Sequence, residues 1–147
     1  MHDFTGFLEL ARHRDHNAAR LLRAYDWTIL NIGPGHLEVQ CDLPNEVLNL
    51  GGSLFGGFTP TYVDLISIWT CMTLLAPELA WLSTVRLEVN YFEPIVSPGF
   101  RVEGIVRNVR KRDYLVETAF RDSDGRLLAL GITALRKALD KPLPLNK

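Results

Sequence analysis

Hydrophobic positions along the 147-residue chain change their period three times. Phe4, Phe7, Leu8 and Ala11, then Ala18, Ala19, Leu21 and Leu22, recur at near-helical spacing with Arg12, Arg14, Arg20 and Arg23 between them. This predicts a helical lead over about 1–25, one broken helix or two short ones lying on something larger. Trp27 to Ile32 reads as a strand, Gly33-Pro34-Gly35 as a turn, and His36 to Leu43 as a second strand alternating Leu37, Val39, Cys41 and Leu43 with polar neighbours. The pair predicts a hairpin. Beyond it the alternation stops, and Phe58, Tyr62, Val63, Leu65, Ile66, Ile68, Trp69, Met72, Leu74 and Leu75 go round a helix instead of forming one stripe. Proline is tolerated only in a first turn, so Thr59-Pro60 suits the start of that helix and Pro77 its end, predicting a span from about Gly57 or Phe58 to about Leu75.

After the helix the period becomes two. Val85, Leu87, Val89 and Tyr91 alternate with Arg86, Glu88 and Asn90, predicting a half-buried strand that Pro94 and Ser97-Pro98-Gly99 end. Val102, Gly104 and Val106, then Tyr114 to Arg121, predict two more strands joined by the charged turn Val109 to Asp113. Asp122-Ser123-Asp124-Gly125 is a hairpin loop, Leu127 to Arg136 a final strand, and Asp140 to Lys147 a loose tail. Because the connections after the helix are short, these strands are expected to form an antiparallel meander.

A helix apolar on every side is enclosed either by protein or by a membrane. A membrane span needs about 20 residues, which this segment approaches. Yet Asp64, Pro60, Ser67 and the threonines at 59, 61, 70 and 73 interrupt it, so a curled sheet is the expected enclosure. The predicted fold class is α+β, a single domain over 1–147 with an antiparallel sheet wrapped around one long central helix. An exposed sheet edge and remaining apolar surface predict pairing with a second copy.

Composition narrows the functions. With 47% hydrophobic and 22% charged residues the chain is ordinary for a globular protein, and its net charge of -1 points to neither nucleic acid nor an anionic membrane. Cys41 and Cys71 have no metal-ligand spacing and read as small apolar core residues in a reducing compartment. His13 and His16 could share a helix face, but a metal pair needs a further ligand nearby, so both are expected at the surface and no metal site is predicted. The start of the chain lacks the apolar run of a secretory signal, and the expected location is the cytoplasm.

The candidate chemistry lies between Asn49 and Ala76. Gly51, Gly52, Gly56 and Gly57 precede the apolar helix, whose one carboxylate is Asp64. Without a Cβ at 56 and 57 a ligand can approach the free N–H groups of a first helical turn, which suit a phosphate, a carboxylate or a developing oxyanion. Asp64 is either a site residue or a structural one paired with the hydroxyl of Thr61, Ser67 or Thr84 or with an arginine. Trp69 and Trp81 read as core or interface residues, with an acyl tunnel the alternative.

The combination of Asn49, then Phe55-Gly56-Gly57, then Asp64, followed by Thr84-Val85, Tyr91, Pro94 and Asp124-Gly125, resembles the PaaI-like acyl-CoA thioesterases of the hotdog fold, including the thioesterase-superfamily-member type. The likeness runs from about Leu21 to Lys137. It implies hydrolysis of an acyl-CoA, or carrier-bound acyl, thioester in a homodimer or homotetramer whose sites lie across the dimer interface. No cofactor is implied, since CoA belongs to the substrate. By position Asp64 matches the catalytic carboxylate, as general base or nucleophile, and Asn49 the asparagine that orients water or thioester. Gly56 matches the residue whose N–H polarises the carbonyl, and Thr84 the hydroxyl that positions water or carboxylate. Asp64 and Thr84 would come from one subunit, Asn49 and Gly56 from the other. Phe55 and Gly57 would line the substrate, and Arg110, Lys111 and Arg112, with Arg107, Arg126, Arg136 and Lys137 nearby, could meet CoA phosphates. Phe55 stands where the family usually has histidine. That departure motivates one alternative, a non-catalytic acyl-CoA-binding hotdog protein; a hotdog tailoring enzyme acting on a carrier-bound chain is a separate one.

Overall fold

The computed structural model describes residues 2–13, 17–96, 98–141 and 143. His16 of the histidine pair, Ser97 and most of the predicted tail lie outside the described residues. The elements run α1 (Thr5–Ala11), α2 (Asn17–Leu21), β1 (Thr28–Gly33), β2 (His36–Asp42), α3 (Thr59–Leu75), β3 (Leu82–Tyr91), β4 (Gly99–Arg110), β5 (Asp113–Arg121) and β6 (Leu127–Lys137). Both short helices of the lead, the first hairpin, the long helix and the four later strands stand where the hydrophobic periods place them.

The six strands form one antiparallel sheet in the order β1-β2-β4-β5-β6-β3. This corrects the expected meander. β4, β5 and β6 do follow one another, but β3 pairs with β6 at the far edge, and the edge of β4 that a meander would give to β3 is taken by β2. The connection from 92 to 98 explains the difference. The N–H groups of Phe92 and Glu93 both reach the carbonyl of Leu128 at 2.9 and 3.1 Å, and the carbonyl of Ile95 accepts from Leu54 N–H at 2.8 Å, so the chain is carried past β6 instead of turning back.

α3 touches all six strands, which fits a helix with no polar side. Its Tyr62, Val63, Ile66 and Met72 are buried against Leu37, Val39, Val102, Val116, Phe120 and Leu135 on the inner face of the sheet. Each such side chain stabilises the fold by about 1.5–3 kcal/mol. The lead covers the helix where the sheet does not: Phe7 of α1 meets Trp69 edge-on at 6.1 Å, and Trp27 stacks on Tyr62 and packs against Trp69, both at 5.6 Å. Trp69 is thereby a core residue. Cys41 and Cys71 are buried free thiols, and burial pushes Cys71 up to about 12 and Cys41 well above the usual thiol range.

Two glycines set how closely sheet and helix approach. A Cβ on Gly104 of β4 would overlap the hydroxyl of Thr70, and one on Gly131 of β6 would overlap the hydroxyl of Thr118 and lie 2.6 Å from Cγ1 of Val63. Irregularities at Leu30, Val85 and Arg107 add to the curl. The one at Val85 also changes the expected pattern of β3: Val85 is 59% and Tyr91 54% exposed, leaving only Leu87 and Val89 half-buried. Overpacking a core costs about 1–3 kcal/mol. Gly131→Ala should therefore lower stability by that amount in urea unfolding, with an unchanged dependence on urea, although alanine ordinarily suits a strand better than glycine.

Candidate functional site

Asp64 stands five residues into α3, about 8 Å along the helix axis from its first residue. It faces β3, at the edge where the wrapping sheet ends, and is half-buried. Thr84 comes from β3. It pairs in register with the buried Leu135, and the irregularity at Val85 directly after it separates its phase from that of the rest of the strand. Its hydroxyl donates to Oδ1 of Asp64 at 2.5 Å. The other partners open to Asp64 from the sequence are not used: Ser67 donates to Thr133 at 2.9 Å, and no arginine pairs with Asp64 among the described residues. Oδ2 makes no hydrogen bond among the described residues.

The glycine turn is the second group. Phe55 N–H donates to the carbonyl of Val47 at 2.8 Å, and the carbonyl of Phe55 accepts from Phe58 N–H at 2.9 Å. Phe58 caps α3 without a side-chain hydrogen bond. Gly56 and Gly57 are exposed, and their N–H groups have no hydrogen-bond partner among the described residues. The half-exposed ring of Phe55 packs against Phe58 at 5.9 Å and fills the space a Cβ on Gly57 would need, 3.0 Å from its Cε1. Tyr91, whose role the sequence did not suggest, donates from its hydroxyl to the carbonyl of Gly56 at 2.6 Å. Its place in the resembling motif, between Thr84-Val85 and Pro94, was the available signal.

Asn49 organises the loop before that turn. Its Oδ1 accepts from Gly51 N–H at 2.9 Å and Ser53 N–H at 3.1 Å, while Nδ2 donates to Ser53 Oγ at 2.8 Å. Leu50 is fully exposed at the loop tip, above an open groove lined by Leu48, Asn49, Gly51, Ser53 and Phe55. The structure thus joins Asp64 to Thr84, and Asn49 to the stretch leading into Phe55, Gly56 and Gly57. No hydrogen bond links these two halves within one chain among the described residues.

The cationic cluster is smaller than the sequence suggested. Arg107, Arg126 and Arg136 are held by Glu117, Glu93 and Asp113, and the Arg136 guanidinium lowers the Asp113 carboxyl below its ordinary range. Arg126 also sits beside the β5–β6 loop, at the opposite end of the sheet from the β4–β5 turn. Arg110, Lys111 and Arg112 at that turn make no ion pair among the described residues. In register, Ser83, Arg136, Asp113 and Arg110 form one row across the sheet, adjacent to the row of Thr84. Three strand spacings, about 14 Å, separate the cations from Thr84.

No protein-family model matches the chain. It is 27% identical over 115 residues, 78% of its length and 81% of the relative's, to a candidate esterase of Saccharolobus solfataricus. It superposes on mouse (Mus musculus) thioesterase superfamily member 2 with a TM-score of 0.76 and 21% identity, covering 93% of this chain and 98% of that one. A hypothetical thioesterase of Streptococcus pneumoniae, solved with coenzyme A, matches with a TM-score of 0.69 and 18% identity over 77% of this chain and 86% of that one.

The bonds of Asn49 make a separable expectation. Asn49→Asp keeps the acceptor used by Gly51 and Ser53, whereas Asn49→Ala removes it. Hydrogen exchange at those two amides should rise about tenfold in the alanine variant and change little in the aspartate variant.

Proposed function

We propose that this chain, a hotdog fold like that of the thioesterase-superfamily proteins it resembles, hydrolyses an acyl-CoA or carrier-bound acyl thioester to the free acid and thiol. The observation that carries this reading is the Asp64–Thr84 pair: a half-buried carboxylate with one oxygen held at 2.5 Å and the other free. A carboxylate with a free oxygen beside an exposed strand can take a proton from water.

In this reading two copies pair along their β3 edges. That strand exposes Val85 and Tyr91, and Leu50, Phe55, Phe92 and Val96 add exposed apolar surface nearby. The glycine turn of one copy then reaches Asp64 of the other. Thr84 fixes the carboxylate, and the free oxygen takes a proton from water as the oxygen of that water attacks the thioester carbonyl. The oxyanion accepts from Gly56 N–H, with Gly57 N–H beside it. Collapse breaks the C–S bond, and the proton on Asp64 passes to the departing thiolate. Direct attack by Asp64, giving a mixed anhydride that water opens, uses the same groups. Asn49 shapes the loop that brings the turn to the thioester, Phe55 lines the acyl group, and Arg110, Lys111 and Arg112 meet the CoA phosphates. A neighbour of this fold solved with coenzyme A supports the choice of thiol.

A second reading, binding without hydrolysis, is favoured by Phe55 itself, which places an exposed phenyl ring at a position from which no side-chain hydrogen bond can be made. Thiol release across short, long and aromatic acyl-CoAs separates the two. General-base catalysis contributes about 10²–10⁴-fold. Asp64→Asn should cut kcat at least 100-fold while leaving the melting temperature near that of the parent. Undiminished turnover in that variant refutes the mechanism, and tight acyl-CoA binding with no thiol release by the parent supports the second reading.

A further inference from the structure

We infer that Tyr91 is the positioning residue for the Gly57 amide donor of the glycine turn, supplying from β3 the support that Phe55 cannot give. The inference rests on the hydrolytic reading above and adds to it a residue outside the expected site. In a peptide unit the C=O and the following N–H point in opposite directions, so fixing the oxygen fixes the amide. Two consecutive peptide units matter here. The carbonyl of Phe55 is held by Phe58 N–H at 2.9 Å, which aims Gly56 N–H outward. The carbonyl of Gly56 is held by the Tyr91 hydroxyl at 2.6 Å, which does the same for Gly57 N–H.

The second unit joins two glycines, the pairing with the widest choice of backbone angles. Nothing in the helix constrains it, because α3 begins only at Thr59. Phe55 packs on the turn but has no polar atom with which to hold it. Among the described residues the Tyr91 hydroxyl is the one group bonded to that carbonyl. The bond also polarises the peptide, so Gly57 N–H becomes a stronger donor toward a developing negative charge. Tyr91 and Thr84 share β3, so one strand holds a carboxylate at one end and an amide turn at the other. If copies pair along that strand, each half-site is set by the strand lying between them.

Tyr91→Phe deletes the hydroxyl and keeps the ring, which lies 3.9 Å from where a Cβ on Gly56 would be. Loss of one oxyanion donor costs about 10²–10³ in kcat, and loss of its support a part of that. The expected result is a fall of about tenfold in kcat on the best acyl-CoA, with KM changed less than twofold and the melting temperature within about 2 °C of the parent. An unchanged kcat, or a kcat that falls only in step with the melting temperature, overturns the inference. The amide resonances of Gly56 and Gly57 in ¹⁵N-labelled protein give a readout independent of turnover. In Tyr91→Phe the Gly57 resonance should move, and an unmoved Gly57 resonance overturns the inference. Absence of thiol release by the parent would count against the hydrolytic reading alone, and the resonances would still decide the role of Tyr91.

Discussion

A helix without a polar side has to be surrounded, and most of this molecule follows from that requirement. α3 lies against every strand, and the lead supplies Phe7, Leu22 and Ala24 where the strands leave the helix open. Enclosure leaves the serine and threonine hydroxyls on α3 to find partners without water, while the buried Tyr62 hydroxyl has none among the described residues. Ser67 donates to Thr133, while Thr70 and Thr73 donate to the carbonyls of Ile66 and Thr70 at 2.7 and 2.6 Å. Thr73 also accepts from Gly35 N–H at 3.0 Å, pinning the turn of the first hairpin to the helix. A charged carboxylate could not be treated this way. Asp64 stands instead where the wrapping ends, beside an edge strand, with one oxygen tied to a hydroxyl and the other open to water.

The same requirement fits the proposed division of the site between two copies. The glycine turn before α3 meets the loop containing Asn49 and the Tyr91 end of β3, whereas Asp64 meets the Thr84 end of β3. Gly56 and Gly57 precede α3, and Asp64 lies about 8 Å along the axis from its first residue; in the proposed site the donors and the carboxylate come from two copies. In that pairing a second copy laid along β3 also covers the apolar side chains exposed there. Closing the sheet edge and completing the site are then one event, which would couple activity to association.

Much of this was legible in the residues. A period of 3.6, its loss over α3 and the later period of two placed every helix and strand within a few positions. Strand order was not legible, because length alone made the 92–98 connection look like a hairpin. What decides it is a pair of amides converging on Leu128, a tertiary contact with no local signature. The exposure of Val85 was hidden for a related reason, since alternation assumes an unbroken ladder and β3 has an irregularity at that residue. Asp64 and Thr84 were named from the motif, and the structure joins them directly. Asn49 was named for its amide, yet its three side-chain bonds all fold its own loop. That reading was available from the Asn-Leu-Gly-Gly-Ser run, which has the composition of a turn.

Replacing a histidine by Phe55 looks, on sequence alone, like the loss of a catalytic group. The geometry gives the ring a different part. In the proposed mechanism backbone amides are the donors of this turn, and the residue at 55 leaves them in place; the orientation of the peptide planes and the polarity around them vary. Tyr91 acts on the orientation, from a strand far away in sequence. Phe55 acts on the polarity, since its ring lies beside Gly57 and against Phe58. In the proposed pairing a second copy closes over the turn and lowers the effective dielectric there, and an N–H facing a negative oxygen gains strength as it falls. In that reading the apolar ring and the tyrosine hydroxyl work in the same direction, toward stabilising an oxyanion without the usual polar side chain.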